Sequence, residues 1–144
     1  MRLLSSLLAG LILVPVAASA QGQTSVTFTK DVAPILQRSC VTCHRPGEMA
    51  PMSLMTYEDV RPWARAIKTR TSAREMPPWH IDRTIGIQDF KNNPSLSDQE
   101  IATTAKWVDA GAPRGNAADM PPLRQFAGDS EWQFKPDIVI KYPP

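Results

Sequence analysis

Apolar residues recur with a helical period in three segments of this chain. The first is predicted over residues 31–39, where the apolar positions follow i, i+3, i+4 spacing and define one helical face. These positions are Val32, Ile35 and Leu36. Pro34 fits the first turn of this helix if Asp31 caps it, because first-turn N–H groups have no intrahelical partner. The helix leads directly into Cys40.

The second segment repeats the helical pattern downstream. Its apolar face consists of Val60, Trp63, Ala64 and Ile67. Thr56, with the carboxylate of Asp59 three residues later, resembles a helix cap. Pro62 is predicted to divide the segment into a short turn and a helix that runs from Pro62 to about Arg74.

The third segment has the clearest helix boundaries. Ser97 and Glu100 form a capping box, with serine at the N-cap and glutamate three residues later. The apolar positions that follow are Ile101, Ala105 and Val108, with Trp107 beside them. Gly111 and then Pro113 are stop signals, so the helix is predicted to end near Gly111.

The rest of the chain lacks helical periodicity. Residues 45–55, with two prolines and a glycine, and residues 76–96 are predicted to be irregular loops. Prolines and glycines also interrupt the tail, residues 114–144, in which residues 137–142 favour one short strand without an evident partner. The pattern therefore predicts an all-α fold of about three main helices with an irregular C-terminal extension.

The first twenty residues have the pattern of an export signal. Arg2 supplies the positive start, and an apolar run that is short for a membrane span follows over residues 3–16. Residues 18–20, Ala-Ser-Ala, form a cleavage site before Gln21. We expect residues 1–20 to be removed and the mature protein to be periplasmic or secreted, without a stable membrane span. The alternative is an uncleaved membrane anchor.

The charge balance argues against nucleic acid as a partner. The chain has 16 basic and 14 acidic residues, and cleavage would remove only Arg2 among them, leaving 15 against 14. The sequence has no basic block and no interleaving of aromatic and basic residues. Both cysteines lie in one five-residue motif, and in an oxidising compartment a disulfide has to be considered beside other chemistry.

That motif, Cys40-Val41-Thr42-Cys43-His44, has the C-x-x-C-H pattern of haem attachment. Two thiols at this spacing can form thioethers with vinyl groups on neighbouring pyrrole rings, and the adjacent imidazole then points to the iron. A redox dithiol would require a βαβ surround, which the pattern does not predict. Half of a zinc site would require two more ligands, whereas His80 is the one other histidine. We therefore predict one covalent haem c on Cys40 and Cys43, with His44 bound to the iron.

Residues 28–113 resemble a class I c-type cytochrome domain. The matching features are Val-Ala-Pro-Ile-Leu before the motif, a later Met-Pro-Pro, and a final helix with Trp-Val-Asp-Ala-Gly-Ala-Pro. The resemblance implies a cytochrome c-like fold, with the cytochrome domain over residues 21–113 and a linker or extension over residues 114–144. It also implies that the first and last helices cross beside the haem. The residues expected at this crossing are Val32, Ile35 and Leu36 from the first helix and Ile101, Trp107 and Val108 from the last.

The second axial ligand of the iron is expected to be Met76. Two prolines follow and stiffen its loop, which lies between the middle and last helices, where the resembled family places its methionine. His80 is the rival ligand, and an empty position is the third possibility. Three other methionines follow the motif too closely to wrap around the ring and are expected to fill gaps in the core. These are Met49, Met52 and Met55.

Further residues have expected roles around the cofactor. His44 should donate its other ring N–H to a backbone carbonyl, and the resemblance favours that of Pro51 over that of Pro46. Trp63 and Trp79 are candidates to line the haem or to fill the core, with Trp79 slightly favoured to touch the haem. Arginine suits carboxylates, so three arginines are candidates for the haem propionates as well as for a solvated surface. They are Arg45, Arg65 and Arg74.

The resemblance implies electron transfer with a redox partner protein rather than catalysis. One alternative is an electron-input haem module of a larger oxidoreductase, because the ending Pro-Asp-Ile-Val-Ile-Lys-Tyr-Pro-Pro resembles haem domains attached to larger exported oxidoreductases. Some of those carry a copper monooxygenase-like or a thioredoxin-like domain. Another alternative is a peroxidase-like haem enzyme, which requires an open sixth site on the iron.

Overall fold

The computed structural model describes residues 25–82, 84–87, 89–126 and 137–142. The predicted export signal and parts of the C-terminal extension lie outside these residues. Four α-helices are present within them, with no strand: α1 (Ala33–Ser39), α2 (Tyr57–Val60), α3 (Ala64–Ser72) and α4 (Asp98–Asp109). This confirms the all-α prediction for the described part of the chain. The strand predicted over residues 137–142 is wrong, since this stretch is neither helical nor paired as a strand.

Helical geometry begins earlier than the sequence pattern predicts. A wide, π-helical turn at Phe28–Val32 precedes α1 and continues into it. Thr27 is the N-cap residue of this turn, and the Asp31 carboxylate accepts a hydrogen bond of 2.7 Å from its backbone N–H. Asp31 therefore lies inside the first turn instead of capping it, and its side chain reaches back to the backbone of Thr27.

The second segment is divided at Pro62, as predicted. Thr56 and Asp59 form a complete capping box at the start of α2. A 3₁₀ turn over Arg61–Trp63 follows, so that α3 begins at Ala64 rather than at Pro62. The later start has a local cause, because Trp63 has a ψ angle of 0° and leaves the regular helical path.

The last helix matches its sequence signals. Ser97 accepts from the backbone N–H of Glu100, and the Glu100 carboxylate accepts from the backbone N–H of Ser97. The helix ends at Asp109, two residues before Gly111. Gly111 has a φ of +86°, in the left-handed region that glycine adopts readily. The capping-box prediction is therefore confirmed.

The core forms where the N-terminal turn meets α4. Trp107 is 0% exposed, lies 6.0 Å from Phe28 between ring centroids, and donates its indole N–H to the carbonyl of Pro113 at 2.9 Å. The buried cluster contains Phe28, Val32, Ala33, Leu36, Leu54, Val60, Ala64, Ile67, Trp107 and Ala112. This single core joins both ends of the helical region to the α2–α3 segment.

Some of the residues expected where the first and last helices cross share one core cluster, whereas the crossing itself stays a prediction. Val32, Leu36 and Trp107 belong to one core cluster, and Val108 packs against it. Ile35 instead lies at a groove beside the start of α4, and Ile101 lines a separate cavity near the α3 C-terminus. Contact with α4 is made by the N-terminal turn, which the sequence pattern did not predict.

The first part of the C-terminal extension packs on the helices. The backbone N–H groups of Phe28 and Thr29 donate to the carbonyls of Pro113 and Arg114, both at 3.0 Å. Gly115 makes this close approach possible, because a β-carbon there would lie 2.6 Å from Thr27 and Thr29 side-chain atoms. None of the described helices has the length and the apolar character needed to cross a bilayer.

Replacing Trp107 by alanine should destabilise the fold strongly. The change removes a fully buried indole and leaves a cavity at the junction of the N-terminal turn and α4. We expect the free energy of unfolding to fall by about 3–5 kcal/mol, measured by urea denaturation. Trp63→Ala is the matched control, because that indole is 44% exposed and its loss should cost under about 1 kcal/mol. Equal losses in the two variants would contradict this account of the core.

Candidate functional site

The C-x-x-C-H motif folds into a tight turn at the end of α1, which we call the 40–44 turn. The N–H of Cys40 continues the helix by donating to the carbonyl of Leu36 at 2.8 Å. The carbonyl of Cys40 then accepts from the N–H groups of Cys43 and His44, at 3.1 and 2.9 Å. Two thiols and one imidazole are therefore held on a single hydrogen-bonded turn, as their spacing predicts.

Both thiols of the turn are free and half-buried. Cys40 also packs against the main core cluster. Burial raises the pKa of the Cys40 thiol to about 12, with a smaller lowering effect from the charge of Arg38 and a further rise from Cys43. Cys40 therefore stays protonated at neutral pH, which does not favour the reactive thiolate that disulfide exchange requires.

His44 is oriented by a backbone carbonyl. Its ring Nδ1 lies 3.2 Å from the carbonyl oxygen of Met52. Since a carbonyl only accepts, this hydrogen bond exists in the tautomer with the proton on Nδ1, which leaves Nε2 with a lone pair for a metal. The carbonyl predicted for this role was that of Pro51 or Pro46, and that prediction is wrong. The identity of the acceptor depends on the path of the 45–53 loop, which residue spacing does not determine.

The loop after the motif folds back on the turn. The N–H of Leu54 donates to the carbonyl of His44 at 3.0 Å, and the N–H of Ala50 donates to that of Cys43 at 3.3 Å. Met52 packs against the core, as predicted, whereas Met49 is 85% exposed and does not fill a gap there. The loop leaves the turn after His44 and returns to it through the hydrogen bond from Leu54. This return places the Met52 carbonyl beside the imidazole.

Asp59 secures the far end of this loop. Its carboxylate accepts from the hydroxyl of Ser53 at 2.8 Å and from the N–H of Thr56 at 3.2 Å. Burial acts to raise the pKa of Asp59, but the hydrogen bonds from Ser53 and Thr56 outweigh it and hold the pKa below the usual value. An ionised Asp59 therefore supports the segment that carries the Met52 carbonyl.

Met76 and His80 lie in the same part of the structure. Both line a cavity of ≈ 240 Å³ between the end of α3, the following loop and the start of α4. Trp79 and Ile101 line it as well, whereas no residue of the 40–44 turn is among its described lining residues. Met76 is 41% exposed. The structure thus brings the two rival ligands to one cavity, but it does not bring either into that cavity with His44.

Two of the three candidate arginines already have partners. Arg45 is 12% exposed and pairs with Glu48 at 2.5 Å, although its Nε is buried without a hydrogen-bond partner. Arg74 forms an ion pair with Asp98 and donates to the carbonyl of Leu96. Arg65 is exposed on α3. Their role toward propionates stays a prediction.

Two features of the site were missed in the sequence. One is the carbonyl of Met52, which no side-chain pattern could reveal because every residue carries a carbonyl. The other is the packing of Arg124 and Phe126 beside the 40–44 turn. No sequence signal links these residues to a motif some 80 positions earlier, since loop closure over that distance is not encoded locally.

The donor set fits a covalently attached haem. It consists of two free thiols separated by two residues and a following imidazole whose Nδ1 is already hydrogen-bonded. Zinc would need further ligands, and no group of three or more His, Cys, Asp or Glu side chains within the described ranges is placed to bind a metal ion. No family model, curated protein or solved structure matches this chain.

Asp59 should make the stability of the protein sensitive to acid. Because its pKa is lowered in the folded state, its stabilising effect is complete above the unfolded-state pKa and is lost as the pH falls through the folded-state pKa. We expect Asp59→Asn to lower the urea midpoint at neutral pH and to reduce the further loss between about pH 5 and pH 2. Ser53→Ala should give a smaller change of the same kind. Parallel pH profiles for the variant and the parent would contradict the assignment.

Proposed function

We propose that this chain is an exported electron-transfer protein, with one haem bound covalently to Cys40 and Cys43 and with His44 bound to its iron. The observation that carries the proposal is the 40–44 turn, in which one carbonyl fixes both the second cysteine and the histidine. The Met52 carbonyl supports the role of His44, because it favours the tautomer whose Nε2 can bind a metal. When bound, haem supplies a one-electron couple at its iron.

The residues around the turn contribute orientation and partial exclusion of water. Val41, between the two cysteines, is fully buried, and Cys40 packs on the core. These contacts fix the attachment point against the helices, so that the covalent links define one position for the cofactor. A redox site held rigidly needs little reorganisation when its charge changes, which favours electron transfer over catalysis.

Met76 is the proposed second axial ligand, and His80 remains its rival. Both side chains line the same cavity between α3 and α4, next to Trp79. A thioether ligand favours a higher reduction potential than a second imidazole. In either case the 76–81 loop would have to bring a side chain from that cavity to the iron.

A second candidate function follows from the position of Met76. Its side chain is 41% exposed, and the described lining of its cavity includes no residue of the 40–44 turn. If neither Met76 nor His80 reaches the iron, the sixth position is open, which favours a peroxidase-like haem enzyme. The alternative role as an electron-input module of a larger oxidoreductase is compatible with a filled sixth position. It differs from the main proposal only in the protein that exchanges electrons with the haem.

Covalent attachment predicts a denaturation-resistant mass increase. Expression with a haem-attachment system should yield the cleaved chain plus one haem, with an alkaline pyridine spectrum of two thioethers, whereas expression without that system should yield neither. Cys40→Ser should leave at most one thioether, with a shifted pyridine spectrum and a lower yield of mature protein. Ser39→Ala is a matched neighbouring control that keeps both sulfurs. A colourless mature protein with both thiols free would falsify the proposal.

Carbon monoxide distinguishes a filled sixth position from an open one. With Met76 bound, the reduced protein should bind CO slowly or not at all, and Met76→Ala should bind it at least about tenfold faster, since an axial bond no longer has to break. His80→Ala is the matched variant from the same cavity and should leave CO binding unchanged. Fast CO binding by the unsubstituted protein would favour the open-site enzyme instead.

A further inference from the structure

The C-terminal extension reaches the 40–44 turn. We call residues 120–126 the C-terminal strap. Met120 packs against the core cluster at one end, and Arg124 lies against the turn, where it donates to the hydroxyl oxygen of Thr42 at 3.2 Å. Thr42 is the residue that immediately precedes Cys43. The strap therefore contacts the segment between the two proposed attachment points.

Arg124 also meets the end of α1. Its guanidinium lies 3.5 Å from the carbonyl oxygen of Gln37, at the outer limit for a hydrogen bond. Carbonyls in the last turn of a helix lack intrahelical partners, and a cation is favourable there. One planar guanidinium can serve both acceptors at once, and thereby tie the end of α1 to the middle of the 40–44 turn.

Phe126 links the strap to the other end of the turn. The guanidinium carbons of Arg45 and Arg124 lie 4.2 and 5.0 Å from the centroid of its ring, within cation–π range. Arg45 directly follows His44 and is nearly buried. Through this ring, the strap holds the residue next to the imidazole as well as the residue between the cysteines.

We propose that the strap clamps the 40–44 turn, with Arg124 and Phe126 as positioning residues for the His44 imidazole. Residues 120–126 then belong to the redox site rather than to a linker. The role toward the iron rests on the proposed function, whereas the clamp on the turn is a property of the polypeptide. Loosening the strap should let the turn open and admit water to the thioether side, which would change the environment of the iron.

The first test is native-state hydrogen exchange on the matured full-length chain. The N–H groups of Cys43 and His44 report on the turn, because both donate to the carbonyl of Cys40. Arg124→Ala and Phe126→Ala should each accelerate their exchange by about threefold to tenfold, because each variant loses an exposed cation–π contact and one further contact between the strap and the turn region. Amides of α3, remote from the strap, should exchange as before.

Gln125→Ala is the matched control. Its side-chain amide donates to the carbonyl of Leu123 within the strap, at 3.4 Å, and within the described part of the chain it makes no hydrogen bond to the turn, so the change should leave the turn amides unaffected. A double-mutant cycle of Arg124→Ala with Thr42→Val then isolates their interaction. Unchanged turn amides in Arg124→Ala, equal acceleration in α3 and the turn, or strictly additive effects in the cycle would each overturn the clamp.

The second test is the reduction potential of the same proteins. Phe126→Ala removes no charge, so a lower potential in this variant would report altered positioning or hydration, whereas Gln125→Ala should match the parent. An unchanged potential in Phe126→Ala would overturn the positioning role. Haem content is measured separately by the pyridine spectrum. A failure of haem attachment is therefore distinguishable from a failure of the clamp, which the exchange experiment measures without reference to iron.

Discussion

Backbone carbonyls fix the geometry of the candidate site. The Cys40 carbonyl accepts from both Cys43 and His44, and the Met52 carbonyl lies against the imidazole. The turn is partly buried, and its N–H groups need partners because an unpaired buried polar group costs about 1–3 kcal/mol. The arrangement that satisfies the backbone is also the one that gathers two sulfurs and an imidazole. Local hydrogen bonding and functional chemistry are therefore met by the same set of contacts.

The site depends on two supports that come from different parts of the chain. The 45–53 loop approaches from the C-terminal side of the motif and is secured by Asp59. The C-terminal strap, residues 120–126, approaches from beyond the last helix and contacts Thr42 and Arg45. Together they surround a short motif whose own hydrogen bonds involve only a few residues. Both supports are anchored to the core around Trp107. The loop contributes Met52 and Leu54 to this core, and the C-terminal extension begins at Pro113, whose carbonyl accepts from the Trp107 indole.

Met76 and His80 form the less determined half of the proposed site. They share a cavity bounded by α3 and the start of α4, and His44 is not among the described residues that line it. Methionine is flexible and adapts to irregular gaps, so its side chain can line a cavity without specifying one ligand geometry. The 76–81 loop lies between the end of α3 and the start of α4, which limits where these side chains can go.

The sequence by itself determined the features that depend on near neighbours. These are the capping boxes at Thr56 and Ser97, the division at Pro62, the all-α class, and the C-x-x-C-H turn. Each arises from residues within about four positions of one another, where spacing alone sets the geometry. The sequence pattern missed the start of the first helical segment, which lies at Phe28 rather than at Asp31. The Asp31 carboxylate accepts from the backbone of Thr27, and the position of Asp31 in the pattern does not reveal this contact.

Only the tertiary structure decided which distant groups meet. It selected the Met52 carbonyl over that of Pro51, brought Met76 and His80 to one cavity, and placed Arg124 beside Thr42, 82 residues away in sequence. It also left residues 137–142 without strand pairing, although they are rich in strand-forming residues. Such contacts depend on the path of loops and on the packing of the whole core. Many loop paths are compatible with the same local pattern, and burial of the core around Trp107 selects one of them.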